Sequence, residues 1–387
     1  MKNKNTNTPY SVVSMFSGCG GMDLGFHKAK YNILWANDLN PDACLTYQEN
    51  IGNIFEGNIY EQEIPSVDDL DVLLAGFPCQ PFSNAGNRRG INEDRGQLYK
   101  VTLDYIKKLR PKIVMMENVR GILSIKTEEG YLLPEICQHL KSLGYTVHFK
   151  LVNSSDYGVP QNRLRVIIIG IRNNIGLGKF RFPEVITGLD LSIENNVINV
   201  NEDTPNQDQL LRLNPQAITL GSYVPEGGSW KDIPYELLPD RLKRIRDDMA
   251  RYRWPKFYRR FHRNEIAGTV TAAFKPENAG VWHPIEDRVF SAREIARIQS
   301  FPDDFVFHGR SIKAIYEMIG NAVPPKLAQT FAETFKNVLS GVDCASEVEP
   351  RLFSEIRFGK TPVKVSDAEV IFDHVETEEY EQIEFIV

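Results

Sequence analysis

From residue 11 to residue 171 the chain alternates short β-branched runs with stretches of helical periodicity, and no other feature restricts the fold as much. Strands joined by helices return to the same end of a sheet and so pair in parallel, with the helices covering its faces. Strands are expected at Ser11–Phe16, Ile33–Asn37, Val72–Ala75, Ile113–Glu117, Thr146–Leu151 and Leu164–Ile171. Helices are expected at Gly21–Ala29, Pro41–Asn50, Gly96–Leu109 and Tyr131–Ser142, the last closed by Gly144 as a C-terminal cap. The class is therefore α/β, a parallel sheet wrapped by helices. After Ile171 glycine, asparagine and proline accumulate, and no strand–helix alternation returns until Ser291, as expected of an inserted, loop-rich unit. Helices then reappear at Ser291–Ser300 and Pro324–Leu339, the second with proline where a missing N–H costs nothing. A length of 387 residues accommodates two domains, or one large domain with an insertion.

Charge is distributed unevenly. The net value of -6 conceals an acidic tail, Gly341–Val387, with 12 Asp/Glu against 4 Lys/Arg. Pro239–Arg263 holds ten Lys/Arg against three Asp, interleaved with Tyr252, Trp254, Phe257, Tyr258 and Phe261. That mixture suits phosphate neutralisation and contact with bases or sugars, although an amphipathic helix from Pro239 to about Ala250 would explain part of it. Five cysteines, odd in number and without a C-x-x-C pair, argue against a disulfide framework and against zinc. Apolar runs such as Val166–Ile171 fall far short of the roughly 18 residues of a membrane span. The polar Met1–Pro9 has no apolar signal core, so the cytoplasm is the expected compartment.

Two loops at strand ends carry chemistry. The first strand runs into Phe16-Ser17-Gly18-Cys19-Gly20-Gly21-Met22-Asp23, where glycines let a backbone turn tightly beside a ligand at a helix N-terminus. The second ends at Asn37-Asp38, whose carboxylate can accept from two ribose hydroxyls. Together they point to a nucleoside-bearing cofactor; the plainer reading is a glycine turn with a helix-capping Asp. The third delivers Gly76-Phe77-Pro78-Cys79-Gln80-Pro81-Phe82-Ser83, and a cysteine in a Pro/Gly loop at this edge reads as reactive rather than structural. Glu117 would project at the same edge. Arg163 and Arg165, two apart, would face one way and supply a fixed pair of cations. Singly, Glu117 could be a surface carboxylate and the arginines a salt-bridged strand edge.

Six ordered blocks carry a resemblance: Phe16–Phe26, Gly76–Gly86, Glu117–Val119, Gln161–Arg165, Ser291–Pro302 and Ile319–Pro324. In these the chain resembles the DNA cytosine-C5 methyltransferases of bacterial restriction-modification type. The resemblance implies a Rossmann-like methyltransferase sheet that binds S-adenosylmethionine and releases S-adenosylhomocysteine. It implies a catalytic domain in residues 1–172 and 314–340, an inserted loop-rich target-recognition domain in 173–285, a hinge segment in 286–313 and an acidic extension in 341–387. It also implies double-stranded DNA as partner, a cognate restriction endonuclease at the level of the system, and no membrane.

The site roles follow by the same resemblance. Cys79 is the nucleophile, Glu117 meets the N3 and N4 side of the base, and Arg163 and Arg165 stand at the flipped cytosine. Phe16, Gly18, Cys19, Gly21, Asp38, Asn58, Ile59, Pro78, Leu98, Asn321 and Val323 form the cofactor pocket. Two positions depart from the family pattern: Asp38 replaces the usual Glu, and Asn58 replaces the Asp that accepts from the adenine amino group, so weakened cofactor binding is expected.

The residues suit the reaction. A thiolate adding to C6 of cytosine, with an acid supporting N3, makes C5 nucleophilic enough to take an electrophilic methyl group. The base must leave the duplex stack first; the loop Asn84–Arg95 is the candidate to close over DNA, and Gly221–Trp230, Tyr252–Asn264 and Gly268–Phe274 are candidates for sequence readout. Three other readings compete. A tRNA cytosine methyltransferase of the same fold would share the catalytic blocks, and a non-catalytic nucleic-acid-binding module would share the basic segment. A zinc deaminase is disfavoured because Phe82 occupies the place of its second cysteine. The acidic tail lies outside the resemblance and is expected to be a peripheral extension or a partly disordered segment; folding against the basic insert, in competition with DNA, is the less favoured alternative.

Overall fold

A computed structural model describes residues 9–78, 98–127, 130–249, 257–272, 282–346, 348–353 and 369–373. Cys79, the loop Asn84–Arg95, Tyr252, Trp254, Phe274 and most of the acidic tail lie outside the described residues.

The first half builds the sheet. In order come β1 (Ser11–Met15), α1 (Gly21–Lys28), β2 (Asn32–Asp38), α2 (Pro41–Asn50), β3 (Phe55–Glu56), β4 (Val72–Ala75), α3 (Leu98–Leu109) and β5 (Ile113–Val119). A short ribbon of β6 (Lys126–Thr127) and β7 (Gly130–Tyr131) precedes α4 (Leu132–Ser142), β8 (Tyr145–Asn153) and β9 (Leu164–Arg172). Gly144 closes α4 in the left-handed region, at φ 88°, its N–H donating to Lys141 O. Among the described residues nine strands form one sheet in the order β10-β11-β8-β9-β5-β4-β1-β2-β3.

The sheet is mixed rather than parallel throughout. β3, β2, β1, β4 and β5 pair in parallel, whereas β9 is antiparallel to both β5 and β8. The cause is the link between β8 and β9: residues 154–163 contain one short 3-10 turn and no crossover helix, so the chain folds back as a hairpin.

Alternation along each strand divides the core into two layers. Val13 and Met15 of β1, Leu73 and Ala75 of β4, and Val114 and Met116 of β5 face α3 and α4 through Tyr105, Ile106, Leu133 and Ile136. Val12, Val72, Leu74, Ile113 and Met115 point the other way. There they meet Phe26 of α1 and Leu327, Phe331 and Phe335 of the last long helix, α9 (Pro325–Leu339). That helix packs closely on α1 because Gly25 lacks a side chain: a Cβ there would stand 2.5 Å from Pro325 O and 2.6 Å from both Ala328 Cβ and Gln329 N. Gly25→Ala is therefore expected to lower the urea midpoint, overpacking of about 1–3 kcal/mol outweighing the roughly 1 kcal/mol gained in helix propensity. An unchanged or raised midpoint would contradict this packing.

Between β9 and α9 the chain carries α5 (Pro215–Ser222), α6 (Asp240–Asp247), α7 (Ala292–Ile298) and α8 (Ile312–Asn321). Ser291 and Glu294 form a reciprocal capping box on α7, and Ser311 caps α8, a helix not anticipated from the sequence. Residues 217–282 hold their own apolar cluster, in which Trp230, Ile233, Leu242, Tyr258 and Trp282 are buried. By contrast Ile193, Val197, Phe261, Ala267 and Val270 pack with α7 and α8.

The tail is not peripheral where it is described. β11 (Val370–Ile371) pairs antiparallel with β8, and β10 (Arg351–Leu352) pairs with β11. Phe353, Val370 and Phe372 enter the core, and buried Glu369 meets His148 Nδ1 at 2.6 Å while accepting from Phe182 N at 3.1 Å. These contacts fix the described part of the tail at the sheet edge. No helix among the described residues is long and apolar enough to cross a membrane.

Candidate functional site

The strand ends of β1, β2, β4 and β5 open into a cavity of about 610 Å³, within the range typical of ligand pockets. Phe16, Gly18, Cys19, Asp38, Asn58, Ile59, Pro78, Leu98, Glu117, Arg163, Arg165, Asn321 and Val323 all line it. Residues spread over more than three hundred positions thus converge on one space.

The glycine loop turns by leaving the ordinary backbone regions. Phe16, Gly18 and Gly20 have φ of 56°, 55° and 90°; for a bulky aromatic such as Phe16 this conformation is strained, as is common at binding sites. The turn is held by Asp38, whose two oxygens accept from Gly18 N at 2.7 Å and Asn40 N at 2.8 Å. Burial raises the Asp38 carboxyl above its ordinary range, and these backbone donors oppose the shift. Asn58 caps a 3-10 turn by accepting from Tyr60 N at 3.2 Å, and its amide donates to Glu61 at 3.4 Å.

Two members of the expected cofactor set differ in how they serve. Gly21 does not line the cavity: a Cβ there would stand 2.3 Å from Val323 O, so its bareness lets α1 approach the segment after α8. Cys19 is on the wall, but burial pushes its thiol up to about 12, with Asp38 adding to the shift, and its Sγ sits 4.0 Å from Met318 O. The thiol is part of the packing.

At the opposite end Glu117, 8% exposed, meets Arg165 Nε at 2.8 Å. Arg163 and Arg165 share this wall, as their spacing implied, yet their partners differ. Arg163 is buried and donates to Val270 O at 3.0 Å, Gly320 O at 2.9 Å and Ala322 O at 3.1 Å. Burial lowers this guanidinium to about 9, Arg165 adding to the effect and Glu117 opposing it, so it remains a cation at neutral pH. Its geometry is that of a clamp on two backbone segments.

Further residues act that the sequence reading left without roles. Asn118 donates to Phe77 O at 3.0 Å and accepts from Val119 N at 2.8 Å, pinning the backbone two residues before Cys79. Gln161 accepts from Val270 N at 3.1 Å and donates to Gln299 Oε1 at 2.9 Å; Gln299 in turn donates to Ile319 O at 2.8 Å. Both glutamines lie within the motif blocks, and a polar side chain beside buried apolar ones was the available signal.

The basic segment is partly internal. Arg259 Nη2 donates to both carboxylate oxygens of Glu265 at 2.7 and 2.8 Å, Arg260 meets Asp287 at 2.6 Å, and Arg263 meets Glu226 at 2.9 Å. Tyr258 and Phe261 are buried. Their aromatic surface serves the core, which corrects the expectation that they contact nucleic acid. Trp230 and Gly221, in another expected reading loop, are also internal: Trp230 is fully buried, and a Cβ on Gly221 would strike the Trp282 ring at 2.0 Å. Tyr223 between them is exposed.

Comparison with known proteins identifies the family. The family described as C-5 cytosine-specific DNA methylase matches residues 10–337. The chain is 36% identical over 358 residues to the Type II methyltransferase M.NgoFVII of Neisseria gonorrhoeae, covering 88% of this chain and 91% of that protein. It is 32% identical to the Type II methyltransferase M.Eco47II of Escherichia coli, over 88% of this chain and 82% of the relative. Among solved structures, the S. pombe Dnmt2 methyltransferase aligns with a TM-score of 0.60 at 17% identity, covering 86% of this chain and 99% of that one. A putative prophage-encoded DNA modification methyltransferase of E. coli aligns at 0.57 and 20% identity, over 86% and 99% of the two chains. The likeness to both structures is one of fold.

Proposed function

The chain belongs to the C-5 cytosine-specific DNA methylase family and is a DNA cytosine-5 methyltransferase, and we propose that it methylates a cytosine turned out of a specific short duplex sequence, using S-adenosylmethionine. The observation that carries this reading is the single cavity that joins the glycine loop and Asp38 at one end to Glu117 and Arg165 at the other. A nucleoside-bearing cation suits the first end, where Asp38 and Asn58 offer acceptors and buried Asp23 lies beneath the loop. Phe16, Ile59, Leu98 and Val323 supply apolar wall, and Asn321 lies beside Val323. When bound, the donor supplies an electrophilic methyl group on a sulfonium.

The protein's own groups then divide the work. Cys79 follows Pro78, which lines the cavity, and Asn118 fixes the backbone that leads to it. Its thiolate adds to C6, forming a C–S bond and moving an electron pair toward C5. Glu117, oriented by Arg165, holds the proton at N3 that makes this addition favourable. C5 takes the methyl group as the donor's S–CH3 bond breaks and leaves a neutral thioether; the C5 hydrogen then departs as a proton to solvent while the C–S bond to Cys79 breaks, which releases the thiolate and restores the ring. Residues 1–172 with 314–340 form the catalytic unit, 173–285 the target reader, 286–313 the hinge between them, and 341–387 an extension. The identity of its Type II relatives supports pairing with a restriction endonuclease of the same specificity.

Expression in a methylation-free host, followed by genome-wide mapping of 5-methylcytosine, tests the proposal. One short recurring motif is expected to be methylated at a single position. Absence of 5-methylcytosine in DNA, with parallel activity on tRNA, would overturn it.

A further inference from the structure

The two ends of the cavity balance their charge differently. At the substrate end the carboxylate of Glu117 is met by Arg165. At the donor end Asp23 and Asp38 both line the wall, and among the described residues neither has a lysine or arginine within ion-pair distance. Asp23, in the first turn of α1, is fully buried. Its oxygens accept from Ser14 Oγ at 2.9 Å and Tyr47 Oη at 2.9 Å, and Ser17 Oγ donates to Ser14 Oγ at 2.9 Å. Hydroxyls from β1 and α2 thus donate to both oxygens, an arrangement that suits an ionised carboxylate. A buried anion without a counter-ion is unfavourable, so this end of the cavity is suited to a cation.

We propose that Asp23 is the counter-charge for the sulfonium of the methyl donor, a specificity-determining residue that makes the pocket distinguish the cationic donor from the thioether product. The proposal rests on the S-adenosylmethionine reading above. Donor and product differ by one positive charge at sulfur, so a buried negative charge nearby favours the donor alone. Burial pushes the Asp23 carboxyl up to about 6, with Asp38 adding to the shift while Ser14, Tyr47 and a backbone N–H oppose it. Asp23 is thus ionised above about pH 6 and loses its charge below it.

The titratable groups facing Asp23 are Cys19 on the glycine loop, Asp38 at the end of β2 and Tyr47 on α2. Burial raises the Cys19 thiol to about 12 and the Tyr47 phenol still further above its ordinary value, so both stay neutral across the relevant range. Asp38, itself raised by burial, is the second acid that can contribute.

Calorimetry on the full chain, with S-adenosylmethionine and S-adenosylhomocysteine titrated separately from pH 5 to pH 8, tests the proposal. The measured quantity is the product Kd divided by the donor Kd. In the wild type this ratio is expected to fall by roughly fivefold to tenfold as pH drops through about 6, the size of a screened interaction across a protein interior. In Asp23→Asn it should already be low at pH 8 and keep only the pH dependence that Asp38 supplies. Tyr47→Phe removes a donor to the carboxylate, so it should move the midpoint of the fall to higher pH, which a merely structural role would not do. If Asp23→Asn does not fold, Tyr47→Phe and Ser14→Ala carry the test through that midpoint. A pH-independent ratio in the wild type, a wild-type ratio in Asp23→Asn, or an unmoved midpoint in Tyr47→Phe would overturn the inference while leaving the donor reading intact. Binding of neither ligand at any pH would overturn both.

Discussion

Cys79→Ala is expected to abolish methyl transfer, lowering the rate by on the order of 10⁴-fold or more, while duplex DNA still binds within a few-fold of wild-type affinity. Cytosine C5 does not attack a methyl sulfonium at a useful rate until a nucleophile has added at C6, so removing the thiol removes the step on which all later ones depend. None of the four cysteines described can replace it. Cys19, Cys44 and Cys137 are buried; burial pushes the first two thiols up to about 12 and holds that of Cys137 well above its ordinary value. Cys344 is half-buried, is also raised by burial, and its Sγ rests 3.9 Å from Thr334 O on α9. Duplex DNA carrying 5-fluorocytosine provides the decisive readout, because fluorine at C5 cannot leave as a proton does and the adduct persists. Mass spectrometry should find a one-to-one covalent complex with wild-type protein and none with Cys79→Ala. An adduct on the variant would transfer the nucleophilic role to another residue.

How much of this was visible in the sequence depends on the distance over which each partner acts. β4 and the first four residues of β5 are buried on both faces and read as continuous apolar runs, and β1 differs only by its two serines, so the expected bounds of all three lie close to the observed ones. The antiparallel return of β8 into β9 departs from the parallel pairing that the preceding alternation implies, and the only hint of it in the sequence is that no helical stretch separates Leu151 from Leu164. Spacing placed Arg163 and Arg165 on one wall, yet it carried no information about Val270, Gly320 and Ala322, whose carbonyls occupy Arg163 from more than a hundred residues away.

Tyr258 and Phe261 show the limit of composition. An aromatic residue among arginines is equally suited to stacking on a base or to filling a small core, and burial alone distinguishes the two. Asp23 carries no distinctive signal for a similar reason: within the glycine loop it resembles any helix-opening acid. Only the fold brings Tyr47 from α2 to one of its oxygens and encloses the other against β1. The tail, too, gave only its charge. Its apolar Phe353, Val370 and Phe372 are too sparse to announce strands, and they gain meaning from the edge that β8 presents.

Glu117→Gln is expected to slow methyl transfer by about 10²- to 10⁴-fold, the usual range for a positioned acid or base, with little change in duplex affinity. The amide keeps the size of the carboxyl and can still accept from Arg165 Nε, so the 2.8 Å contact that orients the side chain has a substitute. What the amide cannot do is hold or share the proton at N3, and without it the electron pair arriving from C6 collects on the ring as unrelieved negative charge. The loss should therefore appear in kcat and not in KM, and adduct formation with 5-fluorocytosine DNA should be slow rather than absent. That distinguishes Glu117 from Cys79, whose removal leaves no adduct at any time. Arg165→Lys should fall between the two enzymes, because an ammonium preserves charge beside Glu117 without the planar fork that orients it. Activity of Glu117→Gln within fivefold of the wild type would mean that N3 receives its proton elsewhere, and Glu117 would then be an ion-pair partner of Arg165 and nothing more.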